Sequence, residues 1–140
     1  MRFATGIAIA APAERVWSIY ADVERWPEWT ASVTSVTLLD PGALRIGHRA
    51  RIRQPKLPVA VWTVTELTEG RSWTWEARGP GALTTATHTV EPTGSGCRVL
   101  ATLTTTGPVG WVLARFTAGL TDRYLALEAE GIKARAEGTR

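Results

Sequence analysis

The 140 residues carry a formal charge of +3, from 16 Lys and Arg against 13 Asp and Glu, and 44% of them are hydrophobic. That length suits one domain, 1–140, able to bury roughly two-thirds of its unfolded surface. The charge is mild, and its one dense basic run, Arg45, Arg49, Arg51, Arg53 and Lys56, accompanies no recognised nucleic-acid motif, so no nucleic-acid partner is expected.

Cys97 is the single cysteine, which excludes an intrachain disulfide and a cysteine metal cluster. The absence of an 18-residue apolar run argues against a membrane span. Met1-Arg2-Phe3 leads straight into a strand pattern, so a cleaved signal peptide is not expected and a cytoplasmic protein is the default. Seven tryptophans, at 17, 26, 29, 62, 73, 75 and 111, each need apolar cover and a partner for the ring N–H.

Phe3 to Ala10 reads as the first strand, with Phe3, Thr5, Ile7 and Ile9 on one face. The small residues Ala4, Gly6, Ala8 and Ala10 occupy the other and allow close approach of another element. Ala11-Pro12 opens a helix, where proline's missing N–H costs nothing. Val16, Trp17, Ile19 and Tyr20 supply its apolar side, and Asp22-Val23 ends it. Residues 24 to 29 follow as a short second helix or tight turn. Strands are then expected over 33–39, 47–54, 59–67, 72–78, 83–91 and 97–105, separated by turns rich in Gly and Pro. A meander of hairpins favours an antiparallel sheet.

Gly107-Pro108 marks the switch to a closing helix over 109–136, about 42 Å long at 1.5 Å per residue. Its apolar stripe is read as Val112, Phe116, Leu120, Tyr124, Leu127 and Ala134. Glu128 falls among the polar surface residues in that reading. Glu137 to Arg140 are expected to fray. This order suggests an α+β fold in which a curved sheet wraps one long helix and leaves a ligand-sized space.

The chain is similar to the polyketide cyclase/dehydrase-like branch of the START and Bet v 1-like (SRPBCC) superfamily. The resemblance spans nearly the whole chain. It rests on Ala-Pro-Ala-Glu-Arg-Val-Trp at 11–17, Asp-Val-Glu-Arg-Trp-Pro-Glu-Trp at 22–29, the strand around Trp-Thr-Val-Thr-Glu at 62–66, Trp-Thr-Trp-Glu at 73–76, and Leu-Glu-Ala-Glu-Gly-Ile-Lys at 127–133. It implies a helix-grip fold: a seven-stranded antiparallel sheet around a long C-terminal helix, with two short helices after strand one. It also implies a cavity for lipids, hormones, cofactors or polyketide intermediates. Fold alone does not choose among binder, transporter and cyclase.

Strand alternation nominates the residues that face such a cavity. His88 shares a face with Thr84, Ala86 and Val90. Trp73 and Trp75 share one with Ala77, and His48 shares one with Ala50, Ile52 and Gln54. For the strand carrying Trp62 two faces compete, Trp62 with Val64 or Val61 with Thr63 and Thr65, and a bulge near 64 to 67 would change the answer. On the closing helix Tyr124 and Leu120 join the set, while Trp29 and Phe116 are placed to gate an opening.

An inward imidazole accepts, donates or shuttles a proton near pH 7, which makes His88 the first candidate for chemistry. Arg115, paired with Glu76 or Glu66 or free to hold an enolate, and Tyr124 are candidates to stabilise an oxyanion. Two histidines 40 residues apart make no metal site, and no cofactor is expected. The preferred reading is a binder of an apolar or aromatic small molecule. The alternative is a cyclase, aromatase or dehydratase acting in the same cavity. The sequence leaves a homodimer open.

Overall fold

The computed structural model describes residues 1–138. Seven antiparallel strands form one sheet: β1 Arg2–Ile9, β2 Ser35–Leu38, β3 Arg49–Arg53, β4 Ala60–Thr68, β5 Ser72–Gly79, β6 Ala82–Thr93 and β7 Gly96–Thr106. Their spatial order is β1-β7-β6-β5-β4-β3-β2. Between β1 and β2 lie α1, Ala13–Tyr20, and a 3-10 helix, Val23–Glu28. The closing helix α2, Pro108–Glu137, crosses the concave face over about 45 Å. This is the helix-grip arrangement expected from the order of elements.

Alternation holds along the strands. Phe3, Thr5 and Ile7 are half-buried and Ile9 is buried, while Ala4, Gly6 and Ala8 face out. The small face of β1 therefore lies on the outside of the sheet, where Gly6 makes room for Leu100 and Arg98 of β7. On β4 the choice falls on Trp62 and Val64 as the buried pair, and a bulge between Val64 and Glu66 follows them. The extra residue resets the alternation, so Leu67 rather than Glu66 packs on the core.

β6 runs on through Pro92, past the expected end at 91. Proline is tolerated there because β5 begins opposite Thr89, leaving Pro92 paired only with Cys97 of β7. Cys97 itself is buried in the core.

Gly107 sits at φ 93° against the backbone of Gly81, a close approach that a side chain would block. Pro108 then begins α2. The far end of α2 is tied down. Arg15 of α1 donates through Nε to the carbonyl of Ala136 at 2.7 Å, and Arg135 meets Glu28 at 2.6 Å. Glu137 accepts the Ala10 N–H at 2.8 Å, so the fraying expected from that residue onward does not begin there. Residues 139 and 140 lie outside the described residues.

The face that α2 turns to the sheet differs from the expected stripe. Gly110, Ala114, Leu125, Ala129, Ile132 and Ala136 are buried, whereas Val112 and Phe116 are exposed. Small residues mark the true face because the helix lies close against the sheet. The large apolar residues spaced from Val112 to Leu127 trace a neighbouring line. Ala134, assigned to the same stripe, is also exposed.

Candidate ligand cavity and its buried carboxyl group

A cavity of about 290 Å³ opens between the first half of α2 and the β3–β4 loop. Its wall is mostly apolar, with Phe3, Leu57, Trp62, Leu103, Leu113 and Leu125 among the lining residues. A second space of about 60 Å³ lies deeper, bounded by Trp26, Trp75 and His88. The two spaces share Gln54, Trp62, Leu103, Leu125 and Glu128, so Glu128 stands where they adjoin.

Glu128 was expected at the surface. It sits three residues past Leu125 and four before Ile132, on the buried line of α2, with only 12% of its side chain exposed. That spacing was the available signal, and the choice of the wrong stripe concealed it. Tyr20 of α1 donates its hydroxyl hydrogen to Glu128 Oε1 at 2.7 Å. His88 Nε2 lies 3.6 Å from the same oxygen, too far for a good hydrogen bond.

Burial pushes the Glu128 carboxyl up to about 7, and the hydroxyl of Tyr20 only partly opposes this. Burial alone drives His88 down to about 3. Tyr20 is raised well above its usual value, first by burial and then by the adjacent carboxyl. Below about pH 7 the carboxyl therefore keeps its proton while the imidazole stays uncharged, so the histidine–glutamate pair is neutral rather than ionic there. A buried ion pair would have to overcome the desolvation of both partners, and one contact at 3.6 Å is poor compensation.

The aromatic residues explain why His88 is so poor a base. Its ring stacks on Trp73 at 4.4 Å and 19°, and meets Tyr20, Trp26 and Trp75 edge-on at 5.3, 5.5 and 5.7 Å. Its Nδ1 is buried without a hydrogen-bond partner among the described residues. Trp26, in turn, is fixed by a 2.8 Å bond from its indole N–H to the carbonyl of Tyr20.

The expected site residues thus separate into groups. Gln54, Trp62 and Tyr124 line the larger space. Gln54 also donates to the carbonyl of Ser32 at 3.2 Å, and Tyr124 hydrogen-bonds the carbonyl of Pro55 in the β3–β4 loop. Trp75 and His88 reach the smaller space. Trp73 is fully buried behind His88.

Other expected residues fall elsewhere. His48 is buried but accepts a 2.8 Å bond from Arg45 Nε at the other end of β3. Trp29 packs on Tyr20 and Trp26 rather than gating the opening. Leu120 is half-buried beside the cavity wall without lining it. Phe116 is 84% exposed. Arg115 is exposed too, with its guanidinium 5.8 Å from the Trp111 ring. The expected partner Glu76 is instead 3.4 Å from Arg78.

Among the described residues no three His, Cys, Asp or Glu side chains gather as a metal site, and no helix is long and apolar enough to cross a membrane.

Comparison with known proteins agrees with this architecture. A hypothetical protein of Helicobacter pylori superimposes with a TM-score of 0.81 at 13% identity, over 97% of this chain and 88% of that one. A Thermus thermophilus protein gives 0.76 at 22% identity over 97% of both chains. The di-domain ARO/CYC StfQ of the steffimycin biosynthetic pathway gives 0.76 at 14% identity, over 97% of this chain and 50% of that chain. In sequence, a protein described as a putative polyketide cyclase of Streptomyces halstedii is 34% identical over 88 residues, 61% of this chain and 70% of that protein. The profile of the family described as polyketide cyclase / dehydrase and lipid transport matches residues 1–137, and the chain belongs to that family.

Proposed function

We propose that the protein binds an apolar or aromatic small molecule carrying a hydrogen-bond acceptor, such as a ketone oxygen, directed at Glu128. The observation that carries this reading is a buried carboxyl group, bonded by Tyr20, at the junction of an otherwise apolar cavity, where burial raises it to about 7 so that it keeps its proton at lower pH. A few convergent polar groups in an apolar concavity are the usual composition of a ligand site. An apolar cavity of about 150 Å³ takes one benzene ring, so 290 Å³ suits roughly two. Trp62 and Leu125 would hold the ring faces, while Gln54 and Tyr124 flank them.

The bicyclic ketone 1-tetralone and its hydrocarbon counterpart tetralin provide the test, by calorimetric titration. The ketone is expected to bind about tenfold more tightly below pH 6, a hydrogen bond's worth of preference. That preference should shrink as the pH passes 7 and the carboxyl loses its proton. Glu128→Leu should abolish it at every pH. Equal affinities for the two compounds in the wild type would overturn the assignment of Glu128.

A second reading, a cyclase or dehydratase, is favoured by the same carboxyl group. A group held near pH 7 is poised to give up and recover a proton. Glu128, rather than His88, is the group to assign that role, because an imidazole held near 3 is a weak base. Turnover of a polyketide-like ketone that vanishes in Glu128→Gln while binding persists would support this reading. Unchanged turnover would remove it.

A further inference from the structure

The two ends of the molecule differ in chemistry. At the end where the cavity opens, the first half of α2 presents Trp111, Val112, Leu113 and Phe116 to solvent, at 52%, 45%, 54% and 84% exposure. Val59 of the β3–β4 loop adds 45% on the other side of the same opening, beside Leu57. A helix of this length ordinarily hides such a set. Here the buried line of α2 is occupied by Gly110 and Ala114 instead.

The opening end also carries an excess of basic residues, whereas acids and bases are mixed at the other end. Strand register places Arg53 and Lys56, Arg78, and Arg2 at the opening end, and Arg115 projects from α2 between Trp111 and Phe116. One carboxylate, Glu76, lies near them and is engaged by Arg78 at 3.4 Å. The first acidic residue along α2 is Asp122. The opposite end, with α1, the 3-10 helix and the β4–β5 turn, is mixed in charge: Glu14, Asp22, Glu24, Glu28, Glu69 and Glu137 stand among Arg15, Arg25, Arg71, Lys133 and Arg135.

We propose that this apolar patch and its basic rim dock the protein on an anionic lipid surface, with the cavity facing the bilayer. Tryptophan and phenylalanine suit the headgroup boundary, and arginine and lysine extend from their edges to lipid phosphates. The occupant follows from charge complementarity: a second copy of this end would bring like charges together, whereas an anionic bilayer neutralises them. The inference rests on the reading that the cavity takes an apolar ligand. It adds that such a ligand partitions between membrane and protein without crossing water.

Flotation with vesicles of equimolar phosphatidylglycerol and phosphatidylcholine, against pure phosphatidylcholine, tests this. The wild type is expected to float with the anionic vesicles and to be released as ionic strength rises. Each basic side chain at a membrane surface contributes about fivefold, so Lys56→Ala with Arg115→Ala should weaken binding about 25-fold. Phe116→Ser, at an exposed position, should weaken it with no loss of thermal stability.

Absence of flotation, or flotation indifferent to these substitutions, would overturn the proposal. So would a dimer, seen by light scattering, that Phe116→Ser dissolves and that ignores vesicles. Titration of 1-tetralone into the same variants separates the two readings. Variants that keep tetralone affinity and lose vesicles locate the effect at the surface. Loss of tetralone binding in the wild type counts against the cavity instead.

Discussion

Glu128 and His88 pull the pH dependence of stability in opposite directions. In an unfolded chain the carboxyl titrates near 4.5 and the imidazole near 6.5, whereas in the folded protein they lie at about 7 and about 3. Between pH 4.5 and 7 the folded protein keeps a carboxyl proton that the unfolded chain has released. Glu128 therefore lowers stability as pH rises through that window, by about 3 kcal/mol in all. His88 acts the other way. Below pH 6.5 the unfolded imidazole takes up a proton that the folded one refuses, so stability falls as pH drops toward 3. The slopes cancel between about pH 4.5 and 6.5. Glu128→Gln isolates one of them while leaving an oxygen for the Tyr20 hydroxyl. Relative to wild type, the glutamine variant should gain about 3 kcal/mol between pH 4 and pH 8 in urea unfolding. A difference that does not change with pH would mean that folding leaves the titration of this carboxyl unshifted.

At the scale of elements, α2 carries both the success and the failure of reading the sequence. Its existence and bounds were legible, because Gly107-Pro108 starts it and no proline follows. The strand faces of His88, Trp75 and Gln54 were legible too, since alternation has a period of two and tolerates no drift. The rotation of α2 was not. Its hydrophobic residues surround the helix, and the buried line is marked by Gly and Ala, which carry little hydropathy signal. That error concealed Glu128 and moved Phe116 inward.

Two of the three glycines of α2, Gly119 and Gly131, provide a matched pair of substitutions that tests the rotation. A β-carbon on Gly131 would collide with the carbonyl of Trp29, where the 3-10 helix ends, whereas one on Gly119 would meet nothing within 4 Å. Gly119→Ala should stabilise by about 0.5–1 kcal/mol through helix propensity alone. Gly131→Ala should destabilise by about 1–3 kcal/mol, because backbone cannot move aside as a flexible side chain can. Chemical denaturation of both variants checks this. Equal gains would place Gly131 away from Trp29.

Across the whole molecule, packing is concentrated at one end. The last turns of α2 are tied to α1 by Arg15, to the 3-10 helix by Arg135 and to the end of β1 by Lys133, which donates to the Ala8 carbonyl at 3.2 Å. The cluster of Tyr20, Trp26, Trp73 and His88 fills the interior there. The first half of α2 instead spans a cavity and leaves large side chains in water. A fold tuned for stability alone would fill that space, so filling it should separate stability from binding. Ala114 is buried and faces the cavity, which makes it the position to enlarge. A ligand at a hundred times its dissociation constant stabilises by about 2.7 kcal/mol, roughly 9 °C for a chain of this size. Wild type should show that shift with saturating 1-tetralone. Ala114→Phe should melt no lower than wild type without ligand and should lose the shift. If instead the variant melts several degrees lower, the space is too small for a phenyl ring. It is then no site for a bicyclic ligand, because overpacking rather than occupancy would explain the loss.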